Sequence, residues 1–181
     1  SIHRTECYAN PRVKFKVAGD LGLDCLVDLV LRSFESTRAF EYDPLIHDAA
    51  EVRSFLSEAR NDEGLSVAFL GDEAVGFVYA RTSTGREYGH ITAIGTVPEH
   101  RGEKIGTSLM QRAHNHIMGK GYGHSFVGTS ESNLSSQALY QKMGYQVVYR
   151  ILKFVKVGKA TDIARDLMPH DLNDLCPLEG F

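Results

Sequence analysis

Thr96-Val-Pro-Glu-His-Arg-Gly-Glu-Lys-Ile-Gly-Thr107 is the stretch whose reading decides the fold. An apolar, β-prone run over residues 91–97 leads into it. Ile105, Leu109, Ala113 and Ile117 then recur at spacings of four, the period of one helical face. Pro98 ends the strand, and Gly102 and Gly106 bracket a short charged loop. A strand, a glycine-containing turn and the start of a helix together make an anion site. The first N–H groups of a helix lack internal acceptors, and the helix dipole adds partial positive charge there. Arg101 and Lys104 add formal charge. The expectation is a phosphate or pyrophosphate held by main-chain amides near Ile105. The competing reading is a strand–helix turn whose glycines serve packing alone. The chain contains no Gly-x-x-x-x-Gly-Lys-Ser/Thr run, and Gly-x-Gly-x-x-Gly does not follow a strand, so the mononucleotide and dinucleotide loops are excluded.

Further along, residues 126–129 read as a short strand, Ser130-Glu-Ser-Asn133 as a turn, and residues 134–142 as a helix closed by Gly144 in the C′ position. Asn133 and Tyr140 stand seven residues apart, two helical turns, so both can lie on one helical face.

These two segments resemble the signatures of the GNAT superfamily of N-acetyltransferases. Val-Pro-Glu-His-Arg-Gly-Glu-Lys-Ile-Gly is similar to the family's acetyl-CoA loop, in which Arg101 and Gly106 match and Lys104 stands where a glycine is usual. Asn133-Leu-Ser-Ser-Gln-Ala-Leu-Tyr140-Gln-Lys-Met-Gly144-Tyr145 is similar to its second motif. The two lie in the family's order, and the resemblance spans residues 91–145. It implies an α/β (α+β) acyl-CoA acyltransferase fold: a mixed, mostly antiparallel sheet of six to seven strands with helices on both faces. It implies acetyl-CoA as co-substrate and a primary amine, small-molecule or peptide, as acceptor.

The same resemblance assigns roles. The pyrophosphate would sit on the amides of Gly102, Glu103, Lys104, Ile105, Gly106 and Thr107, beside Arg101. Ile94, Gly95 and Thr96 would offer a strand edge to the pantetheine arm, in the manner of strand addition. Gly95 would mark a bulge or a close approach, and a bulge would splay this strand from the one at Phe126. Asn133, with Ser136 in the same motif, would contact the pantetheine; a helix N-cap is the ordinary role of such an asparagine. Tyr140 would protonate the departing thiolate, against the plain reading of a core tyrosine.

The base is less legible. Residues 91–97 hold no glutamate, which family members often carry on this strand; Glu87 and His90 are the nearest candidates, and His90 has the better-placed intrinsic pKa. A surface histidine explains His90 equally simply, and a water chain to a distant carboxylate is another route. Glu35, Glu41 and Tyr42 could line the acceptor pocket or a solvated loop. His114 and His116, two apart on a helix, point to different sides and do not suggest a metal.

Composition bounds the class. At 181 residues the chain suits one domain, with residues 159–181 as a tail. A hydrophobic fraction of 43% allows a core without disulfides, and a net charge of −3 without a basic face argues against nucleic acid. Cys7, Cys25 and Cys176 are scattered and odd in number, which reads as reduced thiols in a cytoplasmic setting. No apolar run reaches membrane-spanning length.

Outward from the central stretch, Val13, Phe15 and Val17 alternate as a strand. Leu23, Leu26, Val27, Val30, Leu31 and Phe34 trace an amphipathic helix. Asp48 could cap a second helix with Val52, Phe55, Leu56 and Ala59 as its buried stripe. Residues 65–70 and 75–81 suggest a hairpin around Gly71-Asp72-Glu73, residues 88–97 a further antiparallel strand, residues 145–150 and 151–157 the last two, and residues 161–168 a short helix. The apolar final strands and tail could serve a homodimer. Two other functions stay open: a non-catalytic acyl-CoA-binding or sensor module on the same fold, and an interaction domain with no coenzyme.

Overall fold

The computed structural model describes residues 9–35, 49–148 and 150. Five strands, β1 (Lys14–Val17), β2 (Leu65–Leu70), β3 (Glu73–Arg81), β4 (Tyr88–Thr96) and β5 (His124–Val127), form one sheet in sequence order. The first four are antiparallel neighbours, and β5 runs parallel to β4. Four helices accompany them: α1 (Leu23–Phe34), α2 (Ala49–Ala59), α3 (Ile105–Gly119) and α4 (Leu134–Lys142). The expected mixed, mostly antiparallel sheet is present, with five strands among the described residues.

The β2–β3 hairpin closes through Gly71-Asp72, with Leu70 opposite Glu73. Gly71 takes a φ of 60°, and a glycine in the first of two loop positions matches the natural twist of the pair. The parallel β4–β5 pair needs a crossover, and α3 supplies it. This helix packs by its four-residue stripe: Ile105, Leu109, Ala113 and Ile117 are all buried. It lies so close to the sheet that a Cβ on Gly76 would come within 3.0 Å of Leu109, and one on Gly89 within 2.6 Å of Ile117. Helices α1 and α2 cover the opposite face. Phe34 meets Phe77 edge-on at 5.8 Å, and Phe55 meets Tyr79 at 5.9 Å.

Several expectations shift by a residue or a face. Leu29 is buried although it lies off the anticipated stripe of α1. Phe55 is 40% exposed rather than core, with only an edge-on contact to the buried Tyr79 ring. Strand β3 starts at Glu73, two residues earlier than the apolar run suggested. Residues 145–148 and 150 take no strand conformation, so the strand expected at 145–150 is not formed there. The strand at 151–157, the tail and its helix, the Asp48 cap, Glu41, Tyr42, Cys7 and Cys176 lie outside the described residues. Cys25 is an exposed free thiol. Among the described residues no helix is long and apolar enough to cross a membrane.

Candidate functional site

Strand β4 leads into the loop that opens the site. A short 3-10 turn, Pro98–His100, follows it. Gly102 then adopts a φ of 84°, and Lys104 adopts 63° with ψ 19°, the left-handed region. Lys104 is the only described non-glycine residue at positive φ. It occupies the position where a glycine would be at ease, at a cost of about 1–2 kcal/mol. It also serves as the N-cap of α3 without a side-chain cap; its carbonyl receives the first helical bond, from the Ser108 N–H at 3.1 Å. The N–H groups of Ile105, Gly106 and Thr107 therefore have no acceptor within the helix. Nothing lies within 4 Å of where a Cβ on Gly102 would stand. Successive amides around a left-handed residue, at the positive end of a fifteen-residue helix, form a cradle that suits a diphosphate.

Three residues hold this loop in shape through contacts the sequence did not signal. Asn10 donates from Nδ2 to the Glu103 carbonyl at 2.9 Å, and its N–H reaches Ser108 Oγ at 2.9 Å. His100 lies between carboxylates, with Nδ1 3.2 Å from Glu103 and Nε2 3.3 Å from Glu73. Arg101 turns back and donates to the Ser33 carbonyl at 3.1 Å, at the negative end of α1. Residues 93 positions apart in sequence leave no local pattern, so Asn10 was invisible beforehand. A cavity of about 240 Å³ lies between residues 9–12 and Gly102, Glu103 and Lys104.

Behind the loop, the β4–β5 ladder stops short of the end of β4, which leaves a gap in the pairing there. Their pairing runs from Tyr88 with His124 to Ile91 with Val127, while β4 continues to Thr96 alongside β3. The register of β3 with β4 slips where Tyr79 faces Ala93 and Ala80 faces Ile91, which leaves Thr92 as an extra residue. The bulge thus falls at Thr92, not at Gly95. Its extra residue reverses which face each side chain takes. Before it, Gly89 faces α3; after it, Gly95 faces α1, where a Cβ would lie 2.8 Å from Ser33 Cβ and 2.9 Å from Phe77. Gly95 is a close-packing glycine. The Val97 N–H donates to the Val75 carbonyl at 3.0 Å, so alternation turns the main-chain groups of Gly95 towards β3 as well. Of the three residues expected at the edge, Ile94 and Thr96 present their amides and carbonyls to the gap.

Helix α4 borders the same region: a Cβ on Gly106 would come within 3.1 Å of Leu139. Asn133 is its N-cap and accepts from the Ser136 N–H at 3.1 Å, the ordinary role foreseen for it. Tyr140 is buried. Burial pushes its hydroxyl up to about 12, while a hydrogen bond to the Ser136 side chain pulls the other way. Its ring lies 6.1 Å from that of Tyr145. The Tyr145 hydroxyl bonds to Ser125 and, at 2.6 Å, to His114 Nε2. His114 is thus engaged with Tyr145 and stacks on it at 5.4 Å.

His90 stands one residue before the last pair of β4 with β5. It lies opposite Arg81 on one side and Phe126 on the other. Burial, then the charges of Arg81 and Arg86, push its pKa below the ordinary histidine value, so the imidazole is neutral at neutral pH. Its Nδ1 lies 3.5 Å from Thr92 Oγ1. The structure therefore brings the loop, the Ile94–Thr96 edge and α4 to one end of the sheet, with His90 at the mouth of the gap. Glu87 is exposed and precedes β4.

A family model described as "Acetyltransferase (GNAT) family" matches residues 24–145. A mycothiol acetyltransferase from Streptomyces bingchenggensis is 28% identical over 83 residues, covering 46% of this chain and 27% of that protein. The chain thus matches about a quarter of that curated relative's length. Among solved structures, AAC(6')-Iy in complex with the bisubstrate analog CoA-S-monomethyl-acetylneamine superposes with a TM-score of 0.62 at 17% identity, over 81% of this chain and 99% of that one. The PaiA N-acetyltransferase of Thermoplasma acidophilum, in complex with coenzyme A, gives 0.60 at 18% identity, over 75% and 90%.

Proposed function

Because the chain belongs to the acetyltransferase (GNAT) family, we propose that it transfers an acetyl group from acetyl-CoA to the primary amine of a small molecule or peptide. The observation that carries this reading is that the β4–β5 ladder ends at Ile91 while β4 runs on to Thr96, at the same end of the sheet as the first amides of α3, which have no acceptor within the helix. A diphosphate on those amides, with Arg101 holding the loop to α1, sets the direction of the coenzyme. The pantetheine arm then runs along the groups of Ile94 and Thr96 and carries the thioester into the gap.

The chemistry follows from what borders that gap. The amine nitrogen attacks the thioester carbonyl carbon, and the oxygen takes up negative charge. A main-chain N–H of β4 past the bulge stabilises it. The intermediate collapses with cleavage of the carbon–sulfur bond. Tyr140, held protonated by burial, gives its proton to the sulfur. The neutral His90 imidazole takes the proton that the amine must lose. Ser136 steadies Tyr140 through their hydrogen bond, and Asn133 fixes the start of α4.

The decisive experiment measures thiol release from acetyl-CoA across a panel of amines and peptides. Turnover with at least one amine class, abolished by leaving out the amine, supports the proposal. Tight coenzyme binding with no turnover on any acceptor would instead mark a binding module.

A further inference from the structure

We propose that Tyr145, held by His114 and Ser125, is a positioning residue for Tyr140: it fixes the Tyr140 hydroxyl relative to the sulfur of the coenzyme. This rests on the acetyl-transfer reading above and adds to it the device that aims the proton donor.

Helix α4 ends in a left-handed cap. Gly144 takes a φ of 90°, and its N–H donates to the Gln141 carbonyl at 3.0 Å. The next N–H, that of Tyr145, donates to the Tyr140 carbonyl at 2.9 Å. These are the two bonds of a Schellman ending, and they join Tyr145 to Tyr140 through the main chain. The Tyr145 ring lies 6.1 Å from that of Tyr140. Its hydroxyl reaches two other elements: His114 Nε2 on α3, at 2.6 Å, and Ser125 Oγ on β5. His114 also stacks on the ring at 5.4 Å. One side chain therefore ties the last turn of α4 to a helix and a strand of the main body.

Such a tie matters because α4 has a small apolar face. Tyr140 is its one buried residue, and Leu139 packs from a half-buried position. Few contacts fix the tilt and depth of such a helix. Helix α3 carries in its first turn the amides proposed for the diphosphate. In that turn a Cβ on Gly106 would come within 3.1 Å of Leu139, and further along the helix His114 meets Tyr145. Positions 106 and 114 are about 12 Å apart along a helix axis, so α4 is held against α3 at two separated points. Coenzyme and proton donor are thereby both referred to α3. A sulfur placed from its N-terminus and a hydroxyl placed from its middle keep a fixed separation, on which proton transfer depends. Burial pushes the His114 pKa down, so its neutral Nε2 can accept from Tyr145 while Tyr145 accepts from Ser125.

The test is a double-mutant cycle on kcat, with acetyl-CoA and an amine that the panel shows to be turned over. Tyr145→Phe keeps the ring and the main-chain bond and loses both hydroxyl contacts. It should lower kcat by about tenfold, with the KM and calorimetric Kd of acetyl-CoA changed by less than about twofold. In a Tyr140→Phe background the same substitution should alter kcat by less than about twofold, because no donor is left to misplace. His114→Phe, which keeps an aromatic ring against Tyr145, should follow the same pattern. Ser125→Ala should show it with a smaller loss, and it carries the test if His114→Phe fails to fold. A Tyr145→Phe loss that persists in full without the Tyr140 hydroxyl would overturn this proposal and leave acetyl transfer standing. So would a loss of coenzyme affinity alone, or an unchanged kcat in Tyr145→Phe. Absence of turnover by the native protein on every amine would overturn both.

Discussion

Tyr140, Lys104 and His90 each carry a separable part of the proposed chemistry. Tyr140 is buried and its hydroxyl stays protonated far above neutral pH. Tyr140→Phe should lower kcat by about a hundredfold or more while leaving coenzyme affinity nearly unchanged; parallel losses measured by kinetics and calorimetry would remove it from the donor role. Lys104 holds a left-handed conformation with a bulky side chain. Lys104→Gly relieves that strain but frees the unfolded chain, so we expect a net gain of up to about 1 kcal/mol, a Tm rise of about 2–4 °C. Lys104→Ala should leave stability where it is, since alanine meets the same backbone constraint. His90 is held below 6.5 by burial and two arginines. As a base it loses function when protonated, so kcat/KM should show an acidic limb below about 6.5 that His90→Gln flattens.

Among the elements, β4 does the most with the fewest residues. The bulge at Thr92 turns Gly89 towards α3 and Gly95 towards α1, so both helices can press on one strand. Gly95→Val should cost about 1–3 kcal/mol by overpacking against Ser33 and Phe77, read as a lowered denaturant midpoint with unchanged slope. The strand itself was legible: residues 88–97 were expected and Tyr88–Thr96 formed. The position of the bulge was not, because it is a property of the pairing with β3 and no residue type announces it. Helix α3 was readable from its four-residue stripe, and the buried set contains it together with Thr107, Ser108 and Met110. Phe55 was misplaced because periodicity gives the side of α2 that faces inward but not how deeply each residue on that side is covered.

For the molecule as a whole, coenzyme binding and acidity give two global readouts. Acetyl-CoA at a hundred times its Kd should stabilise the fold by about 2.7 kcal/mol, seen as a Tm that climbs with ligand concentration. His90, His114 and His116 all sit below the ordinary 6.5, with burial as the leading cause in each. The unfolded chain then binds more protons than the native one as pH falls. Stability should be complete above about pH 6.5 and decline below it, with a shallower decline in His114→Gln. By itself, the sequence determined the family, the order of strands and helices as far as α4, and the glycine-flanked loop, because each is written in local spacing that short-range physics obeys. Only the tertiary structure decided where β4 bulges, that Gly95 packs against α1, that Asn10 and His100 brace the loop, and that two arginines surround His90. Those depend on register and on contacts between residues far apart in the chain, and a single sequence carries no local trace of them.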